Sequence, residues 1–588
     1  MPDQKPATLV PVRIDVDNTL DSYIFLGIWA LKEKTVFNDL DSYDVISYHY
    51  DNYKKLEDDF NYTYDLYQNI LPIISRSLNN IHHEDLSTQG WDLYLGKWLR
   101  NFVEIFLDRY TSIRTALSND RVESSYFSKD VFTPPLNGMD YLEKVKGDEY
   151  NLFLYSYIIE NIAPSWKKIH VSFNCAHAKK EIKGVKFRKI TQYFFDKLIP
   201  NPKVVFDCSG FSVKSCLSLI ASGKLKIKPL LFFPNNVDQM VDLNSNDREK
   251  ITKDILSDIN VAEDDFVYLL SEAIGKHIPM SYIENYDKSR EQARKYTLPK
   301  GVIYSANKFN TSDEFRLGIS KSRDLGANFI IGQHGGHYGL FKWSSVERYE
   351  LDCSDKFISF GWGLKLKNIS PISHPKLIDN NKPKSKSLVV FVTNSFPRYF
   401  YRNWSNPVPG FGIVNYLKDR DFFIKSINHG LQQDIIIRLH QNDNGWGQKE
   451  HISNSFPHIK LDDHKQSFMQ VLNKSKLVIV DNNHTTYLES ISNEKPTVIW
   501  WNPDFWPLSS DVIDIFDDLR DVKIFHDSVE SAVDFVNKLY SGDVDANIDN
   551  WWNSEKVQSS ILTFQNLYTK KNSNWKREYI DLFNTLNI

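Results

Sequence analysis

Short apolar runs and amphipathic stretches alternate along the chain from about residue 200 onward. A strand is predicted at 301–307, and those predicted at 388–394, 434–440 and 476–481 have consecutive rather than alternating apolar residues, which is typical of a parallel sheet covered on both faces. Helix-like segments lie between such runs, as at 311–326, where Thr311 or Ser312 can be the N-cap, acidic residues occupy the first turn and Gly326 stands at the end. Alternation of this kind predicts parallel βαβ units.

Two further regions have helical periodicity without intervening strands. In the first, residues 52–165, one wide helical face is formed by Trp91, Tyr94, Leu95, Trp98, Phe102, Phe106 and Tyr110. We expect this face to pack into a core, because aromatic residues at helical spacing are usually interior. The second region is the last stretch of the chain, residues 549–588, which predicts a helical tail.

The polar, basic and proline-bearing segment at 375–387 predicts a domain boundary. The predicted organisation is a Rossmann-like domain over residues 1–375 with a helical insertion at about 52–165, a linker at 376–387, a second Rossmann-like domain over 388–548 and the helical tail. Two such domains facing a cleft give an α/β fold of the GT-B type. In such sheets ligands bind beyond the carboxyl ends of the strands.

Composition and charge limit the classes of binding partner and the cellular compartment that we expect. The 71 basic and 75 acidic residues give a net charge of −4, so nothing in the charge balance points to a nucleic acid. The four cysteines are scattered, which favours free thiols in a reducing compartment. Neither a signal peptide nor a transmembrane run is evident. We expect a cytoplasmic protein, and peripheral association with the inner face of the inner membrane stays open.

The densest group of polar rings and glycines follows the apolar run that ends at Gly332. It comprises Gln333, His334, Gly335, Gly336, His337, Tyr338 and Gly339. Consecutive glycines let a backbone approach a ligand closely, and a histidine at a strand tip suits acid–base work. The candidate catalytic residues are His334, Gln333 and Glu347, and the candidate substrate-binding residues are Gly335, Gly336, His337 and Tyr338. The alternative is a turn whose histidines cap a helix.

Carboxylates near the predicted strand tips are a weaker signal. Glu347, Asp313 and Glu314 could each supply a base or nucleophile, but a solvated position on a helix is the favoured interpretation.

Two groups near the ends of later strands suit phosphate. Arg438 and His440 follow one strand, and the alternative for Arg438 is an ion pair with Asp462 or Asp463. The run "DNNHTTYLES" opens a helix, whose free backbone N–H groups and positive dipole end attract anions. Its candidate phosphate-binding residues are Asn483, His484, Thr485 and Thr486, with Glu489 placed to accept from a ribose hydroxyl. The alternative is that Thr485 is only an N-cap.

A third group follows the first strand of the second half. Asn394, Ser395 and Arg398 could reach a donor, although the aromatic residues around them could equally cover the cleft. No P-loop, zinc-ligand or nucleophile-elbow motif is present, which disfavours P-loop kinases, zinc enzymes and α/β-hydrolases. We expect neither a metal nor a cofactor.

The segments "GQHGGHYG", "FISFGWG", "RLH" and "DNNHTTYLESISNEKPTVIWW" resemble a transferase family of bacterial O-antigen and surface-polysaccharide loci. More distantly the second half is similar to capsule Kdo transferases, polysialyltransferases and CDP-glycerol glycerophosphotransferases. Those relatives hold a cytidine nucleotide with a His-Pro motif and a hydroxyl-rich helix start. The resemblance implies these roles for His440, which Gln441 follows in place of proline, and for Thr485 and Thr486.

The sequence therefore predicts a metal-independent glycosyltransferase. The hypothesis is transfer from a nucleotide-activated sugar, with CMP-linked Kdo or a nonulosonate as the leading donor, to a surface-polysaccharide acceptor that a lipid could carry. One alternative is a CDP-alditol phosphotransferase. Another is a nucleotide-sugar-binding protein without turnover.

Overall fold

The computed structural model describes residues 5–16, 22–32, 37, 40–173, 185–224, 226–231, 240–259, 264–377 and 387–586. Within them the chain forms three parallel sheets flanked by helices, so the GT-B-like α/β fold predicted from the sequence is confirmed, with one sheet more than expected. Most of the predicted linker, residues 378–386, lies outside the described residues.

The additional sheet is built from the amino-terminal region. Its four strands are β1 (Ala7–Val10), β2 (Tyr23–Phe25), β3 (Val122–Ser128) and β4 (Lys167–Val171), in the order β2-β1-β3-β4. The prediction that residues 52–165 are helical throughout was wrong for β3. Its sequence, VESSYFS, has only three apolar residues and carries no strong strand signal.

The helices of this region are α1 (Tyr53–His82), α2 (Thr88–Trp91), α3 (Lys97–Leu117), α4 (Gly138–Lys144) and α5 (Asp148–Ile162). A π-helical turn, Asp92–Gly96, joins α2 to α3. Such turns are rare and are frequent at functional sites. The wide aromatic face predicted from the sequence spans α2, the π-helical turn and α3, and it is buried except at Tyr110, which is partly exposed.

The second sheet has six strands in the order β10-β9-β8-β7-β5-β6. They are β5 (Val204–Asp207), β6 (Ile227–Leu230), β7 (Val302–Ser305), β8 (Asn328–Gly332), β9 (Lys356–Ser359) and β10 (Ile369–Pro371). The strand order reverses between β5 and β7, the kind of switch point where open α/β sheets bind ligands.

Helices flank this sheet and connect its strands. They are α6 (Val185–Leu198), α7 (Val213–Ser222), α8 (Ser245–Asp258), α9 (Asp265–His277), α10 (Tyr286–Ala293), α11 (Asp313–Asp324) and α12 (Ser345–Cys353). In α11 the Ser312 hydroxyl accepts from the backbone N–H of Phe315, which makes Ser312 the N-cap.

The third sheet has the order β13-β12-β11-β14-β15-β16, the Rossmann order 3-2-1-4-5-6. Its strands are β11 (Leu388–Val392), β12 (Ile435–Arg438), β13 (Lys460–Leu461), β14 (Ser475–Val480), β15 (Thr497–Trp500) and β16 (Phe525–His526). Val392 pairs with Arg438 on one side and with Val480 on the other, so three consecutive strands end at one level.

The helices around the third sheet are α13 (Phe411–Ser426), α14 (His429–Asp434), α15 (Gln448–Ser455), α16 (Phe468–Lys474), α17 (Thr485–Ser492), α18 (Ile513–Asp521), α19 (Val529–Leu539) and α20 (Val544–Trp552). The carboxyl-terminal tail continues with α21 (Glu555–Tyr568) and α22 (Trp575–Leu586). Tyr579 and Phe583 of α22 pack with Tyr304 of β7, so the tail returns to the second sheet.

Seven short 3₁₀ turns complete the described elements: Ile28–Ala30, Leu40–Ser42, His49–Asp51, Met280–Tyr282, Lys308–Asn310, Pro375–Leu377 and Ser510–Val512. One apolar core cluster includes residues of all three sheets. None of the helices described is long and apolar enough to cross a membrane.

Candidate functional site

A cavity of about 930 Å³ opens at the carboxyl edge of the third sheet. Its floor is made by the residues that follow β11, β12 and β14, because these strands are neighbours and end at one level. The strand order reverses between β11 and β14, so the cavity lies at the switch point of a Rossmann-type sheet. Of the predicted site residues, those lining it are Asn394, Ser395, Arg438, His440, His484, Thr485 and Thr486.

After β11 the chain is held by hydrogen bonds beneath the cavity. The Asn394 backbone N–H donates to the Tyr416 hydroxyl at 2.7 Å. The Ser395 hydroxyl donates to the Asp443 carbonyl oxygen at 2.8 Å and lies 3.1 Å from the Asn444 amide nitrogen. The Asn394 side chain and the Asn444 loop thus form a polar rim in fixed positions.

After β12, Arg438 follows the alternative considered from the sequence. Its guanidinium forms an ion pair with Asp462 and donates to the Gln466 carbonyl oxygen. Its charge is therefore already compensated, although the side chain reaches the cavity. His440 is exposed, and its Nδ1 lies within 3.1 Å of the Asn442 backbone, which leaves Nε2 as the ring nitrogen available to a ligand.

After β14, the start of α17 faces the cavity without a side-chain cap. His484 is the N-cap residue, and among the described residues its side chain makes no cap hydrogen bond. The first backbone N–H groups of a helix lack intrahelical partners, and Thr485 and Thr486 add their hydroxyls to the same wall. Burial lowers the pKa of His484 to about 3, so this ring is neutral near pH 7.

Two predicted nucleotide-binding residues do not line the cavity. Asn483 is fully buried, and its amide oxygen accepts from the Tyr487 hydroxyl at 2.8 Å. Glu489 is buried against Lys376, with 2.5 Å between the Lys376 Nζ and a carboxylate oxygen. The neighbouring Asn482 and Lys376 itself line the cavity instead.

The glycine-rich loop after β8 supports the start of α17. Gly336 faces the backbone of His484 and Thr485 so closely that a Cβ there would lie 2.5 Å from the Thr485 nitrogen. The Gln333 side chain stabilises the loop through two hydrogen bonds. Its amide nitrogen donates to the Gly335 carbonyl oxygen, and its amide oxygen accepts from Trp362 Nε1. Both ends of the Gln333 side chain are thereby occupied, which disfavours a direct catalytic role.

His334 is the ring of this loop that reaches solvent. A quarter of its side chain is exposed, and both ring nitrogens lie within 3.3 Å of the Tyr338 hydroxyl. That hydroxyl donates to the buried carboxylate of Glu350 at 2.8 Å. Burial lowers the pKa of His334, and Glu350 acts against this. His337 is different: it is buried, and burial lowers its pKa well below the ordinary value.

The chain of polar groups extends from Glu350 to Lys97. The Asn310 amide nitrogen donates to Glu350 at 3.0 Å, and the Lys97 ammonium donates to the Asn310 amide oxygen at 2.6 Å. Burial, followed by the charge of Arg316, lowers the pKa of Lys97 to about 7. Lys97 begins α3 directly after the π-helical turn. The sequence shows only the amphipathic period of this helix, so Lys97 and Glu350 were not singled out there.

The carboxylates considered from the sequence are not solvated. Both oxygens of Glu347 lie 3.1 Å from the Gly339 backbone nitrogen, and burial raises the Glu347 pKa to about 8. Asp313 and Glu314 are almost fully buried, and Asp313 is paired with Arg316. The expectation that Asp313 and Glu314 are solvated helix residues was wrong.

Of two arginines in the loop after β11, the one predicted from the sequence to bind substrate does not line the cavity, and the other does. Arg398, a predicted substrate-binding residue, is buried and donates to the carbonyl oxygens of Trp29, Leu31 and Gly445. Arg402 instead lines the cavity, with its guanidinium 3.7 Å from the centre of the Trp404 ring. No carboxylate of the described residues forms an ion pair with Arg402. Only the folded loop distinguishes the two side chains.

A metal site is not evident in the described parts of the chain, which hold no group of three or more histidine, cysteine, aspartate or glutamate side chains placed to share an ion.

Comparison with known proteins identifies a family. A family model described as "LIC12162 family transferase" matches residues 9–583. No curated protein matches the chain significantly. Among solved structures, a variant of the wall teichoic acid polymerase TagF is 10% identical with a TM-score of 0.34, covering 68% of this chain and 92% of that one. TagF soaked with CDPG is 13% identical with a TM-score of 0.27, covering 51% and 84%. Likeness this weak says nothing about activity.

Proposed function

The chain belongs to the LIC12162 family of transferases, and from this premise we propose that it transfers a glycosyl group from a nucleotide-activated sugar to a surface-glycan acceptor. The observation that carries the proposal is the cavity of about 930 Å³ at the switch point of a Rossmann-ordered sheet. Its volume falls within the range of small-molecule sites, and its position is where such sheets bind nucleotides.

In this proposal the donor's phosphate rests at the start of α17. The uncapped N–H groups, the hydroxyls of Thr485 and Thr486 and the Arg402 guanidinium converge on the same cavity. Arg402 is the stronger cation for this purpose than Arg438, because Asp462 already neutralises Arg438. His440 offers Nε2 from the adjacent strand end. The leading donor is a CMP-linked 2-keto sugar, Kdo or a nonulosonate, by the sequence resemblance.

The chemistry needs a stabilised leaving phosphate and an activated acceptor. The dipole of α17 and the Arg402 charge would stabilise the phosphate as the sugar bond breaks, without a metal ion in this proposal. His334 would accept the proton of the acceptor hydroxyl. Its lowered pKa keeps the ring neutral near pH 7, and the Tyr338–Glu350 pair orients it. The charge of Arg402 also lowers the pKa of His334. The proposed phosphate-binding cation and the proposed base therefore lie near each other.

The test is a transfer assay with radiolabelled CMP-Kdo, a CMP-nonulosonate and CDP-glycerol in the presence of membrane extract. Glycosyl transfer gives a labelled glycan without added phosphorus, whereas transfer of an alditol phosphate gives a product that contains phosphorus. A His334→Ala variant with unchanged folding should lose turnover. If that variant transfers as well as the wild type, the catalytic assignment fails. If no donor supports turnover while nucleotides still bind, the protein is a binding protein.

A further inference from the structure

A second cavity, of about 600 Å³, lies between α6 and α7 and shares no lining residue with the first. It opens at the switch point of the second sheet, where β5 ends at Asp207 and β7 at Ser305. Asp207 faces inward and accepts from the Ser305 hydroxyl at 2.9 Å. The lining is mostly apolar and includes Phe194, Phe195, Phe211, Val213, Leu217 and Ile220. The proposed donor site leaves this cavity without a role.

The mouth of this cavity continues into an exposed apolar face. On α6 the side chains of Ile190, Tyr193, Phe194 and Leu198 share one helical face and are exposed, Tyr193 by 61% and Phe194 by 60%. On α7, Val213 and Leu217 are exposed one turn apart. Phe194, Val213 and Leu217 also line the cavity, so the face and the cavity form one surface. The opposite side of α6, with Phe195 and Ile199, packs on the sheet.

The charge around this face differs from that of the rest of the chain. Helices α6 and α7 together contain five basic residues, among them the exposed Lys214 of α7, and one acidic residue, whereas the whole chain has 71 basic and 75 acidic ones. The acidic residue, Asp196, is partly exposed and is paired with Lys228 at 3.3 Å. Arg188 lies at the cavity mouth, and the exposed Lys197 ammonium stacks 4.6 Å from the Tyr193 ring centre.

Exposed aromatic and aliphatic residues bordered by basic ones are the features of a helix that lies in a membrane interface. We propose that the α6–α7 face docks on a bilayer surface containing anionic lipid, with lysines and arginine on the headgroups and a hydrocarbon chain in the cavity. Docking in this way would turn the carboxyl edge of the second sheet toward the membrane. His334 follows β8 at that same edge, two strands from Asp207, so a lipid-borne acceptor would arrive at the edge of the sheet that carries the proposed base.

The experiment is cosedimentation of the full-length protein with vesicles of phosphatidylglycerol and phosphatidylethanolamine, and with vesicles of phosphatidylcholine alone. We expect binding to the anionic vesicles that weakens as salt rises. Phe194→Ser with Leu217→Ser should reduce it about a hundredfold by removing the inserted apolar groups. Lys197→Gln with Lys214→Gln should reduce it about tenfold or more.

Matched control substitutions show whether vesicle binding is specific to the α6–α7 face. Leu562→Ser and Lys556→Gln alter equally exposed residues of α21 and should leave vesicle binding unchanged. The variants' melting temperatures show whether they fold. The proposal is overturned if folded wild-type protein ignores anionic vesicles, binds both vesicle types alike, or binds as well after the Phe194 and Leu217 substitutions. Vesicle binding needs no turnover, so its failure is distinct from failure of the proposed transferase activity.

Discussion

Gly336 packs against His484 so closely that a Cβ on the glycine would lie 2.5 Å from the His484 carbonyl oxygen. The glycine-rich loop of the second sheet and the start of α17 in the third are therefore one structural unit, although about 150 residues separate them in the chain. The loop does not line the nucleotide-sized cavity. It holds the helix start that does, and it presents His334 beside it.

Replacing Gly336 by alanine should separate these two segments. The added methyl group meets backbone rather than a flexible side chain, so we expect a loss of about 1–3 kcal/mol in the free energy of unfolding. Nucleotide affinity should fall with it, because the start of α17 must shift. Denaturant unfolding and titration calorimetry measure the two effects. Gly430→Ala is the control: its methyl group would have 3.7 Å to the nearest atom and should be tolerated. Equal stability of the two variants would contradict this contact.

Arg402 and Arg398 should respond in opposite ways to substitution by alanine. Arg402→Ala removes a cation that lines the cavity, so we expect about 1.5–3 kcal/mol of nucleotide affinity to be lost with little change in melting temperature. Arg398→Ala leaves the carbonyl oxygens of Trp29, Leu31 and Gly445 without their donor, so the melting temperature should fall sharply. A destabilised Arg402→Ala, or an Arg398→Ala that is as stable as the wild type, would reverse the assignment.

Asp481 should make the protein less stable as the pH rises. Burial raises its pKa to about 7, above the ordinary value of 3.8, although hydrogen bonds from Asn482 and Tyr416 and the charge of Arg420 act against this. The folded state thus holds this proton more tightly than the unfolded chain. The resulting stability is complete below about pH 4 and is lost as the pH rises to 7, by about 1.4 kcal/mol per pH unit. Urea unfolding at pH 5 and pH 8 should show a smaller difference for Asp481→Asn than for the wild type. An unchanged difference would show that Asp481 is ionised in the folded state.

Tyr338 should act as a positioning residue for His334. In the unsubstituted protein the His334 Nδ1 and a carboxylate oxygen of Glu350 are 3.9 Å apart. Tyr338→Phe removes the hydroxyl that donates to Glu350 beside them. The ring can then meet the carboxylate directly, and its pKa should rise. We expect kcat to fall with little change in KM for the donor, and the acidic limb of the pH–rate profile to move to higher pH. A purely structural role would lower kcat without moving that limb.

The sequence was sufficient to predict the periodic helices and strands and to locate the polar residues at the ends of the strands. The apolar runs from β7 onward predict parallel strands because their burial on both faces leaves a continuous signal, and β3 was missed because VESSYFS gives none. The polar residues after β11, β12 and β14 could be grouped because parallel strands end at one edge.

What the sequence did not supply is the direction of individual side chains. Arg398 and Arg402 lie four residues apart in one aromatic loop, and only the carbonyl groups of the distant Trp29 and Leu31 determine which one turns inward. At the end of β14, likewise, Asn482 lines the cavity whereas its neighbour Asn483 does not and is fully buried. Lys97 reaches Asn310 across long sequence separation, after a π-helical turn that amphipathic periodicity does not reveal.

Titration calorimetry of the purified protein with CMP, CDP, UDP and GDP decides whether the cavity at the end of β14 binds a nucleotide. The wild type should bind at least one of them, and Thr485→Ala with Thr486→Ala should weaken that binding about tenfold or more, while Thr563→Ala on the distant α21 should not. Preference for cytidine nucleotides would also support the proposed donor. If no nucleotide binds, or if the double variant binds as tightly as the wild type, the cavity at the end of β14 is not the donor site.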